Sequence, residues 1–83
     1  MENFVMPETI AFNKIGKTDV STVKLNSASL SPNKYETCIF YESGDSNVVE
    51  TYNTYEDAVK GHLAYVAIEY GLRDFYKGSK IWQ

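Results

Sequence analysis

The sequence predicts an α+β fold in which an antiparallel meander sheet of three or four strands packs one face against one amphipathic helix. Over residues 9–53, short segments rich in β-branched and aromatic residues alternate with polar turns. This pattern is typical of strands joined by hairpins. Residues 55–70 then place apolar side chains at three- and four-residue spacing, which is typical of a helix that buries one side.

The chain has 83 residues, which is enough for one domain. Its 43% hydrophobic and 14% aromatic content is ordinary for a globular protein. We therefore expect a single domain over residues 1–83. It should comprise a loose N-terminal arm (1–8), the sheet (9–53), the main helix (54–71) and a C-terminal tail (72–83).

Four strands are predicted within the sheet segment. Residues 9–15 and 20–25 flank a Gly-Lys-Thr-Asp turn, and residues 35–41 and 48–53 flank a polar loop with Gly44 at its centre. The third strand carries apolar side chains on both of its faces. That pattern indicates a central strand that the helix covers on one side and that is partly covered on the other.

The helix has recognisable ends. Thr54 is the predicted N-cap, with Asp57 at the third helical position as in a capping box, and Gly71 is the predicted C′ residue. Gly61 in the middle costs about 1 kcal/mol relative to Ala, which close approach of the helix backbone to the sheet would explain. The predicted buried stripe comprises Ala58, Val59, His62, Leu63, Val66, Ala67 and Tyr70.

Charge and composition exclude several function classes. The net charge is −3, and residues 35–59 hold six acids without any Lys or Arg, so this middle region repels the phosphates of nucleic acid. No apolar run approaches the roughly 18 residues of a membrane span, and the first residues lack a basic segment followed by an apolar one, so we expect neither a membrane span nor a signal peptide. The single cysteine, Cys38, excludes an intramolecular disulfide and suits a reducing cytoplasm.

Three motifs in order resemble a family of small tailed-phage proteins. They are STV at residues 21–23, YETCIF at residues 35–40 and YNTYEDAVKGH at residues 52–62. In that family an STV strand precedes a YET-apolar-apolar-F strand, and a Y-x-T-x-E-[ED]-A-x-x-G-H segment opens a helix. The family usually has Met at Cys38 and often Trp at Tyr55. The resemblance implies a phage origin, a small α+β fold and no particular reaction.

His62 has two interpretations. As a functional residue it would be a general base or metal ligand partnered by Glu36 or Asp57. As a structural residue it would be half-buried on the apolar side of the helix and hydrogen-bonded to the backbone or to a strand carboxylate. The structural interpretation is favoured, because a lone histidine at such a position more often packs than reacts.

Cys38 is predicted to be a small buried hydrophobe. The carboxylates of Glu36 and Glu42 lie nearby in sequence and would raise its thiol pKa, which disfavours a nucleophile. No recognisable catalytic motif or complete set of metal ligands occurs. We therefore expect no enzyme activity, no cofactor and no metal site.

A negative face edged by tyrosine is the predicted partner-binding site. Such a face either docks on a basic protein or keeps a strand edge from aggregating. The leading hypothesis is a small phage accessory protein in the host bacterial cytoplasm. It would bind and modulate a host or phage macromolecule, for example by inhibiting a host enzyme or defence factor. The predicted residues are Glu36, Tyr41, Glu42, Asp45, Glu50 and Tyr52.

The alternative is a structural or assembly protein, acting as a homo-oligomer or minor virion component. Ile81 and Trp82 form an apolar pair in the C-terminal tail. They would be buried between subunits in that case. Otherwise they fold back onto the core of their own chain.

Overall fold

A computed structural model describes residues 8–25 and 33–78, the segment 73–78 by its backbone alone. Four antiparallel strands form one sheet in the order β1-β2-β3-β4, and a single helix packs across one face. The predicted α+β class and meander order are confirmed. The apolar arm before residue 8 and the Ile81–Trp82 pair lie outside the described residues. The elements are β1 (Glu8–Ile15), β2 (Thr18–Lys24), β3 (Tyr35–Phe40), β4 (Ser46–Tyr52) and α1 (Tyr55–Gly78).

Glycines shape both tight turns of the sheet. Between β1 and β2, Gly16 has a φ of 64° and begins a two-residue turn, a position where a type II′ hairpin needs glycine. Between β3 and β4, Gly44 has a φ of 98°. There the Tyr41 amide donates to the Asp45 carbonyl at 2.9 Å. Both turns lie at the same end of the sheet, called here the turn end.

The strand register decides which side chains meet α1. Val20 pairs with Ile39, and Thr22 pairs with Thr37. Because strand side chains alternate between faces, these four share the face that α1 covers. The hydrophobic core here is small, with Ile15, Val20 and Ile39 buried and Val49, Tyr65 and Val66 packed against them.

The helix begins as predicted and ends later than predicted. The Asp57 amide donates to Thr54 Oγ1 at 3.1 Å, which confirms Thr54 as the N-cap. The predicted end at Gly71 is wrong, because α1 continues to Gly78. Gly71 lacks the positive φ that a C′ glycine adopts, so nothing in its backbone stops the helix. Within the described residues, α1 is not apolar enough over a sufficient length to cross a membrane.

The buried stripe of α1 differs from the predicted one. Leu63 is 60% exposed, and Ala67 and Tyr70 are also exposed, so these three assignments are wrong. Three- and four-residue spacing fits two neighbouring stripes equally well, and only docking on the sheet selects one. The residues that are buried or half-buried towards the sheet include Ala58, His62, Tyr65, Val66 and Glu69.

Gly61 makes room for a side chain of the sheet. A Cβ atom added at Gly61 would collide with the ring and hydroxyl of Tyr52. The predicted close approach of the helix backbone to the sheet is therefore confirmed. The contact explains why the middle of the helix carries a residue of low helix propensity.

Candidate functional site

The face of the sheet opposite α1, called here the open face, carries a row of side chains across all four strands. Phe12 pairs with Ser21, Ser21 with Cys38, and Cys38 with Val48. Phe40 lies on the same face two residues along β3, since alternate residues of a strand share a face.

The row is apolar and accessible at its two ends and has the buried Ser21 and the half-buried Cys38 between them. Phe12 is 54% exposed, Val48 50% and the neighbouring Phe40 43%. Single exposed apolar residues are common on protein surfaces, but here three share one face of a small sheet. Apolar patches of this kind mark interaction sites.

Charged residues border the open face at the turn end. Lys14 Nζ is 2.9 Å from Asp19 Oδ1, and Lys17 Nζ is 3.2 Å from Glu42 Oε2. Each lysine therefore already has a carboxylate partner. Within the described ranges Asp45 takes part in no ion pair, and its carboxylate accepts a hydrogen bond from the Ser43 hydroxyl at 3.1 Å.

Cys38 lies on the open face beside Glu36. Its Sγ is 3.9 Å from Glu36 Oε2, and Glu36 takes part in no ion pair among the described residues. Burial, together with the Glu36 carboxylate, raises the pKa of the Cys38 thiol. The predicted direction for Glu36 is confirmed, but Cys38 is half-buried on the open face rather than in the core. A thiol of raised pKa is a poor nucleophile at neutral pH.

The predicted acidic face is not one surface. Tyr41, Glu42 and Asp45 come together at the turn end, where all are exposed. Glu36 lies on the open face, whereas Glu50 pairs with Thr37 on the helix side of β4. The hairpin register separates these two carboxylates, because Glu50 pairs with Thr37 and neighbouring residues of β3 such as Glu36 and Thr37 project to opposite faces.

Tyr52 is the clearest correction to the predicted site. Its side chain is buried against Gly61 of α1, so its ring cannot edge an exposed face. It stands opposite Tyr35 on the helix side of the sheet. The sequence suggested an exposed tyrosine because aromatic residues on strands are often half-wet, and the helix removes this one from solvent.

His62 lies in a chain of hydrogen bonds that joins α1 to every strand. Its Nδ1 is 2.7 Å from Thr22 Oγ1, and its Nε2 is 2.8 Å from Asn13 Oδ1. Thr22 Oγ1 is 2.6 Å from Thr37 Oγ1, which in turn is 3.0 Å from the Tyr52 hydroxyl. One side chain from each strand and one from the helix thus form a single polar network, which is buried except at the exposed Asn13.

The direction of these hydrogen bonds follows from Asn13. With its Oδ1 facing the ring, the amide oxygen can only accept, so His62 Nε2 carries the proton. In the neutral imidazole Nδ1 then accepts from Thr22, Thr22 accepts from Thr37, and Thr37 accepts from Tyr52. Burial lowers the pKa of His62, which favours this neutral form. Burial also raises the pKa of Tyr52, which keeps the proton that its hydroxyl donates.

Thr22, His62 and Asn13 have the order of a hydroxyl nucleophile, an imidazole base and an orienting amide. Thr22 is 0% exposed and His62 is 2% exposed, so no substrate can reach the hydroxyl in this arrangement. The network therefore acts as a tie between helix and sheet. The proposed functional partners Glu36 and Asp57 are replaced by a threonine and an asparagine, which favours the structural interpretation of His62. Two details of that interpretation are wrong, because His62 is buried rather than half-buried and its partners are a hydroxyl and an amide side chain rather than the backbone or a carboxylate.

A groove of about 500 Å³ runs between β4 and the first half of α1. Glu50, Asp57 and Lys60 are among the residues that line it. No three His, Cys, Asp or Glu side chains converge as a metal site in the parts of the chain that the structure describes. The groove offers mixed charge on open walls and no enclosed ligand site.

Sequence reasoning missed Phe12 and Val48 as surface residues, and it missed Asn13, Thr22 and Thr37 as partners of His62. Strand alternation does place Cys38 and Phe40 on one face and Thr37 and Ile39 on the other. Nothing in that alternation says which face the helix covers, so Cys38 was predicted to be buried although its face is the one opposite α1.

Comparison with protein-family models finds no family that matches this chain, and neither the curated proteins nor the solved structures contain a match. The resemblance to tailed-phage proteins stays a prediction from the three sequence motifs.

Proposed function

We propose that this chain is a small accessory protein of a tailed phage that binds a basic protein in the host bacterial cytoplasm and modulates its activity. The three ordered motifs support the phage origin. The surplus of carboxylates at the open face and turn end supports binding to a basic partner. The partner is a host or phage protein, and no enzymatic step is proposed.

The charge balance around the open face carries this proposal. Lys14 and Lys17 are each held by a carboxylate. Glu36 and Asp45 have no cationic partner among the described residues, and the proposal pairs them with cationic groups of the partner. Carboxylates at the rim of an interface steer a positively charged partner and select against negatively charged ones.

A basic protein surface that normally holds nucleic acid fits this chemistry. Such a surface is built to receive negative charge, and an acidic protein competes for it electrostatically. Binding there would block the partner, which is the simplest form of modulation open to a protein of this size.

The test is an affinity pull-down of the tagged protein from infected host cells at moderate salt, with mass spectrometry of the recovered proteins. We expect one basic protein in near-stoichiometric yield. Glu36→Lys and Asp45→Lys should each reduce its recovery, and high salt should do the same because it screens exposed charges.

The matched control is Glu56→Lys, which makes the same charge change on α1, where Glu56 and Lys60 form an exposed ion pair. It should leave recovery unchanged. Equal recovery by all three variants would contradict the proposal. Recovery of only this protein itself, or of virion components, would favour the structural or assembly alternative.

A further inference from the structure

The dimensions of the open face limit what can bind there. Four strands at a spacing of about 4.8 Å and seven residues at a rise of about 3.3 Å give a face of roughly 19 by 23 Å. That is on the order of 440 Å², or about half of the ~800 Å² that each partner of a standard interface buries.

A second copy stacked on this face is therefore disfavoured by area. It is also disfavoured by charge, since each copy would bring a net charge of −3. An extended segment of seven residues, by contrast, is about 23 Å long. One such segment spans the sheet and covers the row from Phe12 to Val48.

The chemistry of the face specifies the side chains of that segment. Phe12, Phe40 and Val48 offer apolar contacts, and Glu36 lies on the same face without a cationic partner among the described residues. Asp45 adds a second such carboxylate at the turn end. An extended segment presents alternate side chains to opposite sides, so its apolar residues can contact the face while the residues between them project away from it. Lysine at those positions has a long, flexible side chain that can bend back towards the carboxylates.

We infer that the open face binds a short extended segment of another protein in which apolar and basic side chains alternate. This inference rests on the proposed function and names the form of the partner. The apolar row supplies the buried contact, and Glu36 and Asp45 supply the selection for positive charge.

The test uses a defined probe, a fluorescent seven-residue peptide of alternating Leu and Lys, titrated into the full chain. The same peptide with Glu in place of Lys should bind at least about tenfold more weakly, because the carboxylates repel it. Phe12→Ser should weaken binding of the Leu-Lys peptide by about tenfold, since burial of the ring is lost.

Leu63→Ser is the matched control for the loss of an apolar contact. Leu63 is as exposed as Phe12 but lies on α1, so this variant should bind the Leu-Lys peptide like the wild type. Equal weakening by both substitutions, or equal affinity for the two peptides, would overturn the inference.

Cys38 provides a second readout, because it is the single cysteine of the chain and lies within the row. Saturating Leu-Lys peptide should slow its labelling by a maleimide at pH 8 several-fold. Labelling in dilute protein that saturating peptide leaves unchanged would show that the peptide does not cover Cys38. If labelling of Cys38 slowed as the protein concentration rose, and sedimentation showed a dimer, a second copy of the chain would be covering the open face. Either result overturns the inference.

Failure of this inference is distinguishable from failure of the proposed function. If the peptides fail while a basic protein is still recovered in a manner that depends on Glu36 and Asp45, the partner binds in another form. If recovery of the basic protein in the pull-down does not depend on Glu36 and Asp45, the proposed function fails, whether or not the peptides bind.

Discussion

Polar residues are buried on one face of the sheet, and apolar residues are exposed on the other. Beneath α1, Thr22 and Thr37 are buried beside the hydrophobic core, whereas the open face leaves Phe12 and Val48 half in solvent. Buried polar groups are tolerated when each finds a hydrogen-bond partner, and the network through His62 supplies those partners. The comparison teaches that hydrogen bonds as well as apolar contacts join the helix to the sheet, while part of the apolar surface lies outside the core.

The largest effect is expected from His62→Ala. It removes a buried ring and leaves the Thr22 hydroxyl and the Asn13 amide without their partner, so the free energy of unfolding should fall by about 3 kcal/mol. Urea denaturation measures it. Leu63→Ala, next in sequence on the exposed side of α1, should change stability by less than about 0.5 kcal/mol. Similar losses in both variants would mean that the polar network contributes no more to stability than an exposed side chain of α1.

A smaller effect is expected at the contact between helix and sheet. Gly61→Ala should destabilise the protein by about 1–2 kcal/mol, because overpacking against Tyr52 outweighs the better helix propensity of alanine. Gly71→Ala meets no atom within 4 Å and should stabilise the helix by about 0.5–1 kcal/mol. Thermal denaturation of the two variants should give shifts of opposite sign. A stabilised Gly61→Ala protein would mean that Tyr52 can move aside.

The pH dependence of stability should report the same network. The pKa of His62 is lowered from its ordinary value of 6.5, so the unfolded chain takes up the proton first as pH falls. Stability is therefore full above about pH 6.5 and declines below it, by at most about 1.4 kcal/mol per pH unit, until the folded protein also binds the proton. His62→Gln keeps polar groups without titrating in this range. The stability of this variant should not show the decline below about pH 6.5 that His62 causes. If the variant and the wild type had identical pH profiles of stability, the assignment of this decline to His62 would be contradicted.

The smallest effect is expected on the open face. Phe12→Ser should change the free energy of unfolding by about 0.5 kcal/mol or less, because the ring is already half in water. Val20→Ser makes a comparable change on the neighbouring strand at a fully buried position and should cost several times more. A large loss from Phe12→Ser would mean that the open face contributes to the core.

Much of the fold was accessible to sequence reasoning. The four strand segments, the turns at Gly16 and Gly44 and the Thr54 cap all depend on local chemistry within a few residues, and local chemistry can be seen in the sequence. The end of α1 was misplaced because glycine permits the left-handed C′ conformation without imposing it.

The candidate site was only partly accessible. Tyr41, Glu42 and Asp45 fall together because they share one turn, which is a local property. Tyr52 and Glu50 were assigned to the same surface by sequence proximity, but their exposure depends on where α1 packs. The partners of His62 lie 40 and 49 residues away, and no short-range pattern links them.

The sequence by itself determined the elements of this protein, their order and the alternation of side chains along each strand, because these follow from backbone geometry and nearest neighbours. Only the tertiary structure decided which face of the sheet α1 covers. Both faces carry enough apolar area to attract a helix, and the choice was made by long-range contacts. Those are the hydrogen bonds of His62 with Thr22 and Asn13 and the fit of Tyr52 against Gly61. The same choice left Phe12, Phe40 and Val48 exposed, and with them the surface proposed to bind a partner.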